Sequence, residues 1–158
     1  MTNKKFCLGM LVMVLVFGSM VSGCDTDSAN SGGGGKNITI TGITGKAGGA
    51  YIMAYSSADD NGIAAMGMGS VSGNSISFDL AKDEYMHPFT GSGSYYLMLT
   101  FESDNSVYIY TNGQTLAQLG ITAGSSEADI FARLPKYNIS SAASTIAFSM
   151  FKEAPPDW

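Results

Sequence analysis

The chain has 158 residues and a formal net charge of −5 at pH 7, and charged residues make up only 13% of it. Eight Lys and Arg residues cannot form the basic surface that binds nucleic acid, so the composition excludes nucleic acid as a partner. Glycine contributes 20 residues, and a Gly-rich, charge-poor composition favours strands and turns over helices.

Residues 1–23 have the pattern of a secretory signal peptide. Lys4 and Lys5 form a basic start, and residues 6–20 are almost entirely apolar. This run is shorter than the roughly 20 apolar residues that a membrane-spanning helix needs, and it fits the apolar region of a signal. The sequence therefore predicts that the chain is exported.

The end of this segment, Val21-Ser22-Gly23-Cys24, resembles the lipobox of bacterial lipoproteins. A thiolate is the nucleophile that accepts a lipid, and small residues before the cysteine suit the lipoprotein signal peptidase. The resemblance implies that Cys24 carries the lipid and attaches the chain to a bacterial membrane, inner or outer. At least two acyl chains are needed for stable attachment. An ordinary signal peptide with a chance cysteine is the alternative.

The predicted organisation behind Cys24 is a tether, one domain and a tail. Residues 24–36 contain DTDSANSGGGGK, a flexible segment that spans on the order of 20 Å. Residues 37–151 are long enough for one two-layer domain, and residues 152–158 are predicted to be a flexible C-terminal tail. The only other cysteine, Cys7, lies in the signal, so the domain contains no disulfide.

Alternating apolar and polar residues predict a series of short strands. The clearest is 75–80, where Ile76, Phe78 and Leu80 point to one side. Ser72-Gly73-Asn74 predicts a hairpin turn before it. The last predicted strand, 145–151, has Ile146, Phe148 and Met150 inward. The other predicted strands are 37–41, 51–55, 66–71, 94–102 and 107–110.

Residues 114–134 fit either helix or strand. Ser126 with Asp129 resembles a capping box and Pro135 would end a helix, which favours one short helix near 126–134. The strand spacing and the Gly, Asn and Ser turns predict an all-β fold, a β-sandwich. A small closed barrel is the alternative.

Polar side chains with catalytic or metal-binding chemistry are few. His87 is the only histidine and so the only possible base of a Ser-His-Asp triad, but no nucleophile-elbow motif accompanies it. Residues 59–62, DDNG, fit a turn better than a calcium loop. The paired carboxylates at 83–84, and Glu102 with Asp104, are the candidates for glycoside hydrolysis. We expect no cofactor, no metal and no catalytic residue.

Tyrosines on the predicted strands are the candidate ligand-binding residues. An exposed row of tyrosines offers flat apolar faces with polar tips to a protein or glycan. Tyr95 shares a face with Leu97 and is assigned to the core, whereas Tyr108 and Tyr110 are predicted to be exposed, with Tyr96 beside them. Cross-strand packing in the core is the alternative role.

The signal KKFCLGMLVMVLVFG, the Gly-rich tether and the segment ITITGITGKAGGAYIMAYSS resemble small uncharacterised lipoproteins of spirochaetes. The resemblance implies an envelope location and an immunoglobulin-like or transthyretin-like β-domain, and it implies no activity. We therefore expect a non-enzymatic binding or interaction module that binds a protein or a glycan. A carboxylate-dependent hydrolase acting on a glycan and a purely structural envelope component are the alternatives.

The assignment of Cys24 gives a direct test. Substitution Cys24→Ser removes the only thiol that the signal pattern offers for lipid transfer, so incorporation of labelled palmitate should be lost. Cys7→Ser, which alters a cysteine inside the predicted signal, is the matched control and should still be labelled. Labelling of the Cys24→Ser protein would contradict the lipid anchor.

Overall fold

The computed structural model describes residues 37–57, 62–81, 92–140 and 142–155. Cys24, the predicted signal and the predicted tether lie outside these residues. The described elements are, in chain order, β1 (Asn37–Thr41), β2 (Gly49–Tyr55), β3 (Ile63–Ser70), β4 (Ser75–Asp79), β5 (Gly93–Phe101), β6 (Val107–Tyr110), α1 (Glu127–Arg133), β7 (Tyr137–Ile139), β8 (Ser144–Ala147) and β9 (Phe151–Glu153).

The strands form two sheets. In the three-stranded sheet the order is β4-β1-β8, with β1 antiparallel to β4 and parallel to β8. In the six-stranded sheet the order is β3-β2-β5-β6-β9, and β7 pairs with the first residues of β5. The sheets remain separate, so the fold is the predicted all-β sandwich and not a closed barrel.

One hydrophobic core lies between the two sheets. The three-stranded sheet contributes alternate residues of β1, β4 and β8, which confirms the predicted inward faces of β1 and β4. The six-stranded sheet contributes alternate residues of β2, β3 and β5 from its inner face. Burial of each large apolar side chain stabilises the fold by about 1.5–3 kcal/mol. The largest core members include Ile38, Ile40, Ile52, Ile76, Phe78, Leu80, Leu99 and Phe101.

The outer face of the six-stranded sheet is also largely buried. Tyr55 and Tyr96, which are paired across β2 and β5, both face this side, and the Phe131 ring of α1 lies edge-on to each, at 5.8 and 5.1 Å between ring centroids. Ile130 and Phe131 are the buried residues of α1. The sheet is therefore covered on its inner face by the other sheet and over part of its outer face by the helix.

The helix begins and ends where the sequence predicted. The Ser126 hydroxyl accepts a hydrogen bond from the backbone N–H of Asp129, which is the predicted N-cap. Leu134 takes an extended conformation, because the residue before a proline is excluded from the helical region by Pro135. Part of 114–121 forms a helical turn instead, in which the N–H of Ile121 donates to the carbonyl of Leu116.

The prediction of one continuous strand over residues 145–151 is wrong. This segment divides into β8, a 3-10 turn (Phe148–Met150) and β9, and the two strands belong to different sheets. The turn breaks the alternation, so Phe151 joins Ile146 in the buried core, whereas Phe148 and Met150 are only partly buried against it. Alternation alone could not detect this because every second residue in the segment is apolar.

The predicted domain boundary at residue 151 falls inside β9. Lys152 pairs with Ile109, Glu153 pairs with Tyr108, and the N–H of Ala154 donates to the carbonyl of Val107. Residues 152–154 are therefore part of the sheet, since they supply its last backbone hydrogen bonds. Residues 156–158 lie outside the described residues.

The predicted hairpin turn at residues 72–74 connects the two sheets. Ser72 and Ser75 exchange backbone hydrogen bonds of 2.8 and 3.1 Å, but β3 and β4 then continue into different sheets. Beyond this corner β4 crosses the inner face of β3 closely. A Cβ atom on Gly69 would lie 2.5 Å from the backbone oxygen of Ser77, so a glycine is required there.

Because β3 and β4 approach closely at Gly69, the addition of one methyl group there should destabilise the fold. Gly69→Ala should lower the free energy of unfolding by about 1–3 kcal/mol, because the new Cβ meets backbone that cannot turn away. Gly124→Ala, where nothing lies within 4 Å, is the matched control and should change it by less than about 0.5 kcal/mol. Urea denaturation measures both. Equal stability of the two variants would contradict the crossing of β3 and β4.

Candidate functional site

Two of the predicted ligand-binding tyrosines face the core. Tyr108 is paired with Leu99 and therefore shares the inner face of the six-stranded sheet. Tyr110 is only 8% exposed, and its ring lies edge-on to Tyr137 and Phe151 at 5.4 and 5.6 Å. The predicted exposure of Tyr110 is wrong, because both faces of β6 are apolar and alternation does not distinguish them.

Tyr108 is partly buried and packs against the edge of the same core. Its ring centroid lies 4.9 Å from that of Phe148 and 5.8 Å from that of Phe101. The Tyr110 hydroxyl donates to Asn112 Oδ1 at 3.1 Å, and burial raises the pKa of Tyr110. Both side chains therefore serve in packing.

Tyr96 lies on the opposite side of the same sheet. It is partly buried between the Phe131 ring and the ammonium group of Lys136, which is 4.6 Å from the centre of the Tyr96 ring. Tyr96 and the pair Tyr108 and Tyr110 therefore face opposite sides of the six-stranded sheet. The three predicted residues cannot form one platform for a ligand.

A charged cluster joins the loop after β1 to the turn between β5 and β6. Lys46 Nζ is 2.5 Å from Asp104 Oδ2 and 2.8 Å from Ser106 Oγ. The same ammonium group lies 5.4 Å from the Phe101 ring centre and 5.1 Å from that of Tyr108. The Lys46 side chain is only 13% exposed, so this ion pair is a structural link between the two loops.

The protonation states of the pair follow from these contacts. The hydrogen bonds from Lys46 and Ser106 lower the pKa of Asp104 to about 2. Partial burial opposes the charge of Lys46, but the hydrogen bonds with Asp104 and Tyr108 outweigh it and raise the pKa of Lys46. Asp104 is thus held ionised, which suits the nucleophile or base of a glycosidase pair but not the acid, which must carry a proton near neutral pH. Glu102 beside it is exposed.

The other polar candidates lie mostly outside the described residues, including His87 and the carboxylates at 83–84. Of residues 59–62 only Gly62 is described. Within the described ranges, no group of three or more His, Cys, Asp or Glu side chains is arranged to hold a metal ion. The described part of the chain also contains no helix with the length and hydrophobicity needed to cross a bilayer.

The outer face of the three-stranded sheet is a flat row of hydroxyl groups. Thr39 lies between Ser77 on β4 and Thr145 on β8, and the hydroxyls of Thr39 and Ser77 are 2.8 Å apart. Ser77 and Thr145 are exposed. The described tyrosines lie on the six-stranded sheet and therefore apart from this row of hydroxyls.

The exposed edge of β3 is the feature that the sequence did not single out. This strand pairs with β2 on one side, and no described strand pairs with it on the other. Met66 and Met68 on β3 and Tyr51 on β2 are half-buried on the outer face, where Met68 is paired with Tyr51. We call these three residues, together with the open backbone of β3, the edge patch. Its signal in the sequence is the uncharged run IAAMGMGS.

Comparison with known proteins gives no family for this chain: no family model, no curated protein and no solved structure matches it.

The ion pair of Asp104 predicts a defined pH dependence of stability. The pKa of Asp104 is lowered in the folded state, so its contribution is complete above the unfolded value of about 4. It is lost as the pH falls through about 2, the folded value. Asp104→Asn should remove that part of the dependence between pH 4 and 2, as measured by urea denaturation.

Glu102→Gln is the matched control, because it removes a carboxylate of the same turn and leaves the Lys46–Asp104 pair in place. Lys46→Met should reproduce part of the effect of Asp104→Asn, because the hydrogen bonds from Ser106 to Asp104 remain. If the Asp104→Asn protein retains the full acid sensitivity of the original protein, the ion pair does not contribute to stability.

Proposed function

We propose that the chain is a lipoprotein of the bacterial cell envelope, held to a membrane by the lipid on Cys24, and that its β-sandwich is a non-enzymatic interaction module. The module binds an extended segment of a partner protein along β3. The observation that carries this proposal is the far edge of that strand, with which no strand of the described residues pairs.

Five strands pair with only one described neighbour, and these edge strands differ in length and chemistry. β7 has only three residues. β9 has three residues, contains Lys152 and is followed by prolines, and β8 has four residues. β4 has five residues and ends at Asp79. β3 has eight residues without a charge or a proline. Short length, charge and proline are the usual means of blocking an edge, so β3 is the edge best suited to accept another strand.

The side chains of the edge patch fit this mode of binding. An added strand gains backbone hydrogen bonds, each worth about 0.5–1.5 kcal/mol net, and gains specificity from pockets for its alternate side chains. Met66 and Met68 are flexible and polarizable, and Tyr51 is flat and amphipathic, so together they adapt to an apolar side chain.

The predicted lipid anchor would hold this surface close to the membrane. A tether of about a dozen residues extends on the order of 20 Å, which keeps the domain close to the membrane while leaving it free to turn. An acidic domain gains no attraction to anionic lipid, so the lipid itself supplies the attachment. A protein partner in the same envelope would then meet β3 at a high local concentration.

A glycan is the second candidate ligand, and the observation in its favour is the row of hydroxyls on the three-stranded sheet. Thr39 and Ser77 are aligned by strand pairing at 2.8 Å. Sugars are usually bound with at least one stacked aromatic ring, and the described tyrosines belong to the other sheet. The edge of β3 is therefore favoured over the hydroxyl row.

Site-specific cross-linking tests the proposal in isolated cell envelopes. The full-length Ser70→Cys lipoprotein, labelled with a benzophenone at the end of β3, should cross-link to an extended segment of one protein. Met68→Lys in that background should strongly reduce the product, because a charge at the edge opposes strand addition. Mass spectrometry identifies the cross-linked segment.

Thr145→Cys on the edge strand β8 is the matched control, since this residue is also exposed. Equal cross-linking from Ser70→Cys and Thr145→Cys would contradict binding at β3. Binding of envelope glycan that survives Met68→Lys and is lost on Thr39→Val would favour the hydroxyl row instead.

A further inference from the structure

Three methionines lie side by side across the outer face of the six-stranded sheet. Met53 on β2 is paired with Met66 on β3 and with Met98 on β5. Directly paired residues have Cβ atoms about 4.5–5.5 Å apart on the same face of a sheet. Three thioether side chains therefore start from neighbouring positions in one row, which we call the methionine row.

Core packing alone does not require this alignment. Methionine commonly fills irregular gaps, but a gap needs one flexible side chain, whereas here three consecutive strands place methionine at the same level. The fifth methionine in the described residues, Met150, lies apart from the row in the turn before β9.

The burial of the row is graded from the middle of the sheet to its edge. Met53 is 2% and Met98 is 7% exposed, and Met66 on the edge strand is half-buried. The Tyr55 hydroxyl donates to Met53 Sδ at 3.3 Å, which fixes the orientation of the central thioether. The row therefore has a dry inner end and one end that solvent reaches.

Thioether sulfur is a soft, uncharged ligand that selects Cu(I) among the biological transition metals. Hard divalent ions require oxygen ligands. The cost of burying an ion also rises with the square of its charge, so a dry site formed by uncharged thioethers disfavours divalent ions further. The chemistry of the row thus matches a soft monovalent cation.

We propose that Met53, Met66 and Met98 form a site for a soft monovalent metal ion, Cu(I), which enters from the half-exposed Met66 side. The three sulfur atoms would bind the ion in a three-coordinate arrangement. The acidic net charge of the chain, −5, favours the approach of a cation. The site shares the Met66 side chain with the edge patch, but it does not use the backbone edge of β3, on which the strand-binding function rests.

Silver(I) is the probe, because it shares the soft, monovalent character of Cu(I) and does not oxidise in air. The full-length lipoprotein in detergent is alkylated to block thiols, labelled with 13C at the methionine methyl groups, and titrated with silver nitrate in chloride-free buffer. Methyl resonances of Met53, Met66 and Met98 should shift together at about one ion per chain, and the resonance of Met150 should not move.

Leucine variants assign the ligands, since leucine keeps the volume and apolar character of methionine. Met66→Leu and Met98→Leu should each weaken the affinity measured by calorimetry by about tenfold or more. Met150→Leu is the matched control and should bind silver as the original protein does. Competition with a Cu(I) chelator under anaerobic conditions should give the same order of affinities.

Several outcomes would overturn the site. These are undiminished binding by both Met66→Leu and Met98→Leu, a shift of Met68 in place of Met98, and saturation only at millimolar silver. The methyl spectrum of the original protein is informative even if a variant fails to fold. Loss of silver binding with intact cross-linking from β3, or the reverse, separates this proposal from the proposed function.

Discussion

The antiparallel pairing of β2 with β5 is buried on both of its faces, and the rest of the fold follows from that constraint. Its register runs from Ala50 opposite Phe101 to Tyr55 opposite Tyr96. One set of alternate side chains needs the three-stranded sheet as cover, and the other set needs α1. A slip of one residue would exchange the two sets, which would present each cover with side chains of the wrong size. The pairing therefore fixes where both covering layers lie.

Double burial also explains why the tyrosines are unavailable as a common platform. When both faces of a sheet are largely covered, no exposed face remains for a row of aromatic rings. Tyr110 and Tyr108 are used to close the inner core near β9, and Tyr96 is used to hold α1. Aromatic side chains contribute large buried areas and favourable edge-to-face contacts. In this small domain the tyrosine rings therefore pack against other side chains and do not form an exposed ligand-binding surface.

Surface suited to ligand binding remains where the covering layers end. α1 covers the part of the outer face around Tyr55 and Tyr96, and the covering thins towards β3, where Met66 and Met68 are half-buried. Among the strands that the structure describes, backbone pairing also ends at β3. An open edge and a soft, polarizable surface thus coincide, and a strand partner and a metal ion are the two kinds of ligand that this chemistry suits.

The sequence by itself determined the local elements. Alternation located β1, β4 and β5, and the Ser126 cap and Pro135 set the limits of α1, because each of these depends only on neighbouring residues. Tertiary structure alone decided the rest. It divided 145–151 between two sheets, turned Tyr110 inward, and placed Met66, Met53 and Met98 in one row, because strand pairing brings together residues that are far apart in the chain and local periodicity carries no information about which strands are neighbours.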